Sequence, residues 1–206
     1  MPAKTHSGRR IFVPILLTIS ALLAPILLAP SSSAQESIVQ IDPDPTKIEF
    51  SLGGNMHTVH GKFSLKSSTI RLDPSTGKIE GRIVVDALSG ESGNGSRDAR
   101  MHREILESFK FPEIVFTPMQ ITGQVAFEGS SNIEVSGRFR LHGEEHDLTL
   151  PVEVKANGKD LQFATHMEIP YAKWGLKNPS NFFFRVSDVV AIDIHGTGRV
   201  QTGGNP

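Results

Sequence analysis

The sequence predicts an all-β protein: a single antiparallel barrel of roughly eight strands with one short amphipathic helix. Three observations lead there. Through most of residues 41–200, apolar and polar residues alternate with period two, and Gly, Asn and Pro punctuate the runs, the pattern of half-buried strands joined by turns. The strands recur at regular spacing without internal repeats, which one closed antiparallel sheet accommodates better than a solenoid or two domains. Only 94–118 breaks the rule, with Met101, Ile105, Leu106 and Phe109 at helical spacing. A two-sheet sandwich shares the alternation, because it too has buried and wet faces.

In chain order, Lys4, Arg9 and Arg10 precede an apolar run over 11–28 and the small-residue pattern Ser32-Ser33-Ala34. Together they predict a secretory signal peptide over 1–34 and a domain over 35–206, placed in the periplasm or outside the cell. The run approaches the ~20 residues that span a bilayer. Pro14, Pro25 and Pro30 and the cleavage pattern favour removal over retention as an anchor, so no stable membrane span is expected after cleavage. Arg9-Arg10-Ile11-Phe12 is also similar to a twin-arginine signal, with Gly8 in place of the usual Ser or Thr.

Cleavage would remove three basic and no acidic side chains from the 21 and 22 in the chain, leaving 18 against 22 and a net charge of −4. A mildly acidic surface argues against a nucleic-acid partner, which needs a concentrated basic footprint. The chain has no cysteine, which excludes disulfides, thiolate metal sites, cysteine nucleophiles and an acylated N-terminus together.

The domain opens with a stiff polar stretch, Ile41-Asp42-Pro43-Asp44-Pro45. Ile48, Phe50 and Leu52 then alternate with Lys47, Glu49 and Ser51 in a strand ended by Gly53-Gly54-Asn55. Ile70 and Leu72 continue the pattern, 74–77 makes a turn, and Ile79, Gly81, Ile83 and Val85 form the inward face of an antiparallel neighbour. Residues 89–93 read as a flexible linker. A helix over 97–108 follows, with Ser96 as its cap, Asp98 at the positive end of the dipole, and Pro112 forbidding continuation. Its apolar stripe would cover the body as a lid, while Arg97, Arg100, Arg103, Glu104 and Glu107 face water. Further strands are expected near 114–121, 124–128, 133–141, 147–155, 161–169 and 182–200, the last broken near 186–188.

No catalytic apparatus is legible, so the chain does not read as an enzyme. His142-Gly143-Glu144-Glu145-His146 offers metal-binding side chains, but a helical turn is what aligns the two His of an H-E-x-x-H site, and Gly143 predicts a strand-to-strand turn. A solvated hairpin tip is the expected reading. His57 and His60, three apart in a strand, point to opposite faces. Asp98 and His102 stand at i and i+4 with no nucleophile beside them, which suggests a helix-surface hydrogen bond. No cofactor motif is present.

From Gln35 onward the chain has eleven Phe against one Tyr and one Trp. Phe50, Phe63, Phe116, Phe139, Phe163 and Phe183 fall at inward strand phases, and a side chain without a polar handle suits a packed core or an apolar lumen. A barrel of about eight strands can be filled by side chains or hold one small ligand, as in lipocalins.

Arg97-Asp98, then Met101, then Phe109-Lys110-Phe111-Pro112 running into Ile114-Val115-Phe116 resembles the signature of the YceI-like family. His57 to Phe63, Val135-Ser136-Gly137 with Leu141-His142-Gly143, and Leu148-Thr149-Leu150-Pro151-Val152 extend the likeness over 41–200. That family often shows His where Arg100 stands here, so no role of that His carries over. The resemblance implies a lipocalin-like barrel holding a polyisoprenoid or other long-chain lipid in its interior. It points to Phe63, Ile83, Val85, Met101, Leu106, Phe116, Phe139, Phe163, Met167 and Phe183 as ligand-binding positions in the lumen. The expected protein is an exported bacterial envelope carrier or store of such a lipid, with no cofactor or metal. The alternatives are a structural or stress factor with a filled core and, further off, a metal-dependent enzyme. A homodimer stays open.

Overall fold

The computed structural model describes Met1, residues 37–126 and residues 128–202. The expected signal peptide over 1–34, with its cleavage site at Ala34, lies outside the described residues. Among the described residues there are nine strands: β1 (Ser37–Ile41), β2 (Lys47–Leu52), β3 (Val59–Leu72), β4 (Ile79–Glu91), β5 (Glu113–Thr122), β6 (Glu128–Leu141), β7 (Glu144–Asn157), β8 (Asp160–Ile169) and β9 (Val190–Thr202). They pair antiparallel in the order β1-β3-β2-β9-β8-β7-β6-β5-β4, and β3 also pairs with β4.

That last pairing closes the sheet. β1 and β2 both lie between β3 and β9, β1 through Ser37↔Leu72 and Ser37↔Thr202, β2 through Ile48↔Phe63 and Ile48↔Ile194. They are two halves of one interrupted stave, so the nine segments build the closed eight-stave antiparallel barrel the alternation predicts. A sandwich is excluded, and closure removes the aggregation-prone edges of an open sheet. The interruption sits at the prolines, where Thr46 N–H donates to the Pro43 carbonyl and the Thr46 hydroxyl to the Asp42 carbonyl. Reading 41–45 as a stiff lead-in missed β1, whose five residues are too short to display a period.

Turn chemistry fixes the register. His142 and Gly143 join β6 to β7 with φ of 53° and 84°, both positive as a two-residue type I′ hairpin requires. Extra residues on β4 between Asp86 and Glu91, and bulges on β3 between Leu65 and Ser67 and on β5 between Pro118 and Gln120, bend the staves round. Pro118, opposite Gly137, is tolerated inside a paired strand because it lies at such a bulge.

Several sequence expectations need correction. Residues 89–91 are not a linker but the end of β4, with Glu91 opposite Lys62. Residues 124–126 lie outside the strands, and β6 instead starts at Glu128. β9 starts at Val190, leaving 170–189 as a long connection in which Phe183 is 73% exposed rather than inward. The helix, α1 (Gly95–Arg100), is capped by Asn94, whose side chain accepts from Arg97 N–H, and not by Ser96. It then widens into a π-helical turn, Met101–Ile105, and the chain turns again two residues later at Glu107, φ 44°.

The widening has a packing reason. In an α-helix Leu106 would stand roughly 140° around from Met101, whereas the bond from Leu106 N–H to the Met101 carbonyl adds a residue to the turn and brings both to one face. Among the described residues no helix is long and apolar enough to cross a membrane.

Candidate functional site

Antiparallel order puts every second connection at the same end of the barrel, so 53–58, 92–112, 142–143 and 170–189 share one rim. Below them the barrel is hollow. A cavity of about 520 Å³ lies under this rim, and a second of about 210 Å³ lies toward the opposite end. They adjoin, since Ile48, Val85, Ile114, Phe139, Met167 and Ile194 line both. Their combined size falls in the ~300–1,000 Å³ range of small-molecule sites.

Nine of the ten lumen positions drawn from the sequence are brought together on these walls. Ile83, Phe116 and Phe163 line the deeper cavity, Phe63, Met101 and Leu106 the upper one, and Val85, Phe139 and Met167 both. Phe183 lines neither.

The aromatic walls follow from cross-strand pairing. Phe50 stands opposite Gly61, and Phe163 opposite Gly196. A Cβ on Gly61 would lie 2.3 Å from Phe50 Cζ, one on Gly196 2.4 Å from Phe163 Cζ, and one on Gly90 2.5 Å from Phe63 Cε1. Each ring therefore rests against bare backbone, close to the wall and off the barrel axis. Most inward Phe are wall rather than filling.

Among the described residues the deeper cavity has no charged side chain on its wall, and its one orphaned polar atom is the Thr165 hydroxyl. The upper cavity is apolar below and polar at the rim, where His57, Ser92, Ser96, Arg97, Arg100 and Asn181 line it. Arg97 and Arg100 thus do not simply face water, as amphipathic spacing suggests. Arg97 donates from Nε to the Ser92 hydroxyl at 2.7 Å and from its guanidinium to the Ser92 carbonyl at 2.8 Å. Asp98 accepts from Ser92 N–H at 2.9 Å and from the Ser92 hydroxyl.

The helical segment is clasped to the barrel by side chains whose partners the sequence does not disclose. His102 Nε2 stands 2.9 Å from the Gly90 carbonyl and Nδ1 3.0 Å from the Ser108 hydroxyl. A carbonyl only accepts, so Nε2 carries the proton and, in the neutral ring, Nδ1 accepts from Ser108. The expected Asp98–His102 bond is replaced by these separate ties. His142 and Glu107 meet at 2.6 Å, binding the β6–β7 turn to the helix end, while Gly143, Glu144 and Glu145 of the tip are exposed. Lys177 reaches Glu104 at 2.8 Å, and its hydrogen bond and charge, seconded by Arg100, hold the Glu104 carboxyl below the usual range.

The paired histidines of the tip do not converge. His146 stacks on Trp174 at 4.0 Å between centroids, and Trp174 also packs on Phe139 at 5.9 Å. His60 lies 2.9 Å from the Ser51 hydroxyl, while His57 lines the upper cavity. Among the described residues no three His, Asp or Glu are grouped to hold a metal ion.

Tyr171, at the head of 170–189, donates to the Ser187 carbonyl at 2.6 Å and pins that connection into a loop. Burial, and secondarily the charge of Asp188, push its phenol up to about 12 from 10.0. The folded state therefore keeps the proton that the unfolded chain loses near pH 10, and stability falls as pH rises from about 10 to about 12. Alkaline unfolding followed by circular dichroism should show this decline in the native chain and a shallower one in Tyr171→Phe. Equal slopes would mean that Tyr171 does not govern it.

A domain model described as YceI-like matches residues 39–197. No curated protein matches the sequence. Among solved structures, the barrel is similar to a polyisoprenoid binding domain from Saccharophagus degradans implicated in plant cell wall breakdown, with TM-score 0.60 and 15% identity, covering 79% of this chain and 98% of that one. It is similar to Burkholderia cenocepacia BcnA, with TM-score 0.61 and 20% identity over 76% and 99%. A Campylobacter jejuni YCEI protein gives 0.55 and 18% over 71% and 86%. At these identities the likeness establishes the fold.

Proposed function

The chain belongs to the YceI-like domain family, and we propose that it is an exported envelope protein that holds a long-chain apolar ligand, a polyisoprenoid or related lipid, inside the barrel for carriage or storage. The observation that carries this reading is the pair of adjoining cavities, walled almost wholly by aliphatic and aromatic side chains and polar only at one rim. A chain of isoprene units asks for that kind of wall: length, no hydrogen-bond partners, and conformationally tolerant contacts. The similarity to a solved polyisoprenoid binding domain supports the ligand class. The sequence over 1–34 supports export to the periplasm or beyond. In this reading Phe63, Ile83, Val85, Met101, Leu106, Phe116, Phe139, Phe163 and Met167 contact the chain, and no residue acts as a catalyst.

The helical segment then serves as the cover of the upper cavity, with Met101, Ile105 and Leu106 pointing down into it. Leu106→Ala should lower stability by about 2 kcal/mol, the low end for Leu→Ala because the side chain is half-buried. It should also speed release of a bound polyprenol beyond what that loss explains, since weakly held covering elements are those that open. The single tryptophan, Trp174, packed on the cavity residue Phe139, provides the fluorescence signal. A polyprenol titration that leaves its emission unchanged, with no lipid extractable from the protein, would defeat the reading.

A further inference from the structure

The rim above the upper cavity carries an apolar projection whose outer members, Phe182, Phe183 and Met56, line neither cavity. Phe182, Phe183 and Phe184 are 88%, 73% and 54% exposed, and Met56 on the adjoining 53–58 connection is 70% exposed. We propose that this projection inserts into an anionic lipid bilayer, so that the barrel mouth docks on a membrane surface.

Its frame is rigid. Asn181 Oδ1 accepts from Phe183 N–H at 2.9 Å and Phe184 N–H at 2.8 Å, and Asn181 N–H donates to the Phe184 carbonyl at 2.8 Å. Asn55 ties the two connections together, its N–H donating to the Arg185 carbonyl, its Nδ2 to the Phe183 carbonyl, and its Oδ1 accepting from Arg185 N–H. The rings are displayed by fixed backbone.

Two observations select a bilayer as the occupant. The first is charge. Over 53–58, 92–112, 142–143 and 170–189, Lys and Arg outnumber Asp and Glu seven to four, whereas from Gln35 onward the chain is acidic, 18 against 22. Arg185, next to the triplet, is exposed and pairs with no carboxylate among the described residues. A basic rim on an acidic protein complements anionic headgroups, and aromatic knobs beside it suit the interfacial layer. The second is continuity with the cavity, because Phe184 also lines its upper wall. A ligand leaving the barrel at this rim would meet the hydrocarbon that the neighbouring rings have entered. A second copy of the chain fits less well, since burying Phe182 and Phe183 supplies about 500 Å² at most, short of the ~800 Å² that one side of a stable interface buries.

This inference builds on the carrier reading but does not require it. The test is co-sedimentation of the protein, purified as the cell processes it, with vesicles of phosphatidylglycerol and phosphatidylethanolamine and with neutral phosphatidylcholine vesicles. The wild type should bind the anionic vesicles more tightly and weaken with salt. Phe182→Ser with Phe183→Ser should reduce binding at least tenfold, while unfolding temperature and any lipid retained in the interior stay unchanged. Arg185→Ser should weaken binding to anionic vesicles alone, by about fivefold. Failure of the wild type to sediment with either vesicle, equal binding by the Phe182/Phe183 double variant, or a solution dimer dispersed by the same substitutions would overturn the proposal. Vesicle binding that survives with a bare, lipid-free interior would instead defeat the carrier reading and leave the docking surface standing.

Discussion

Placing a charge at residue 167, as in Met167→Lys, should abolish lipid retention. Met167 is 8% exposed, lies across from Ile192, and lines both cavities where they adjoin. Among the described residues no Asp or Glu lies on either wall, so the ammonium would have no counter-charge there. In a solid core such an uncompensated charge costs about 3–5 kcal/mol and threatens the fold. In a hollow barrel water can enter from the rim and solvate the ammonium. The expected result is a folded protein with a modestly lowered unfolding temperature that extracts with no apolar ligand. Met167→Gln, similar in volume, should keep the fold and retain ligand partially. Global unfolding of Met167→Lys while Met167→Gln stays native and lipid-free would indicate a filled interior.

The second large effect concerns the wall rather than the junction. Gly196 leaves room for the Phe163 ring, and a Cβ there would meet Phe163 Cζ at 2.4 Å and Thr46 Oγ1 at 2.8 Å. In Gly196→Val the ring has to give way, and the open space beside it is the deeper cavity of about 210 Å³ that Phe163 lines. Overpacking of this kind typically costs about 1–3 kcal/mol. The deeper cavity should close, so the longest ligands bind more weakly than short ones, which the upper cavity still accepts. A panel of polyprenols of increasing length, measured against both proteins, reads this directly. Length dependence identical to that of the wild type would show that the ligand does not reach Phe163.

Most of the barrel was readable because period-two alternation is strong in long strands. The inward positions Ile79, Ile83, Val85 and Phe163 are legible for that reason. The failures share a physical character. β1 is short and sits beside prolines, so local pattern could not show that β3 and β9 hold it. Gly90 looked like linker because a glycine signals flexibility in sequence, yet here it makes space for Phe63. Phe183 had inward phase only if a strand ran through 182–186, and the Asn181 side chain instead folds that stretch into an exposed loop.

At the site, nine lumen positions were legible from phase and family resemblance. The polar fittings were not. That His102 clasps Gly90 and Ser108, that His142 meets Glu107, and that His146 stacks on Trp174 depend on which connections share a rim. Sequence spacing suggested Asp98 as the partner of His102, and the π-helical turn helps explain why spacing misled: it changes which residues share a face after Met101.

Native mass spectrometry of the freshly purified protein, as its cells process it, tests the central claim most directly. The account expects a polypeptide beginning at or near Gln35 that carries the added mass of one long-chain apolar molecule, lost on extraction with organic solvent. A bare polypeptide mass, unchanged after incubation with excess polyprenol, would contradict it.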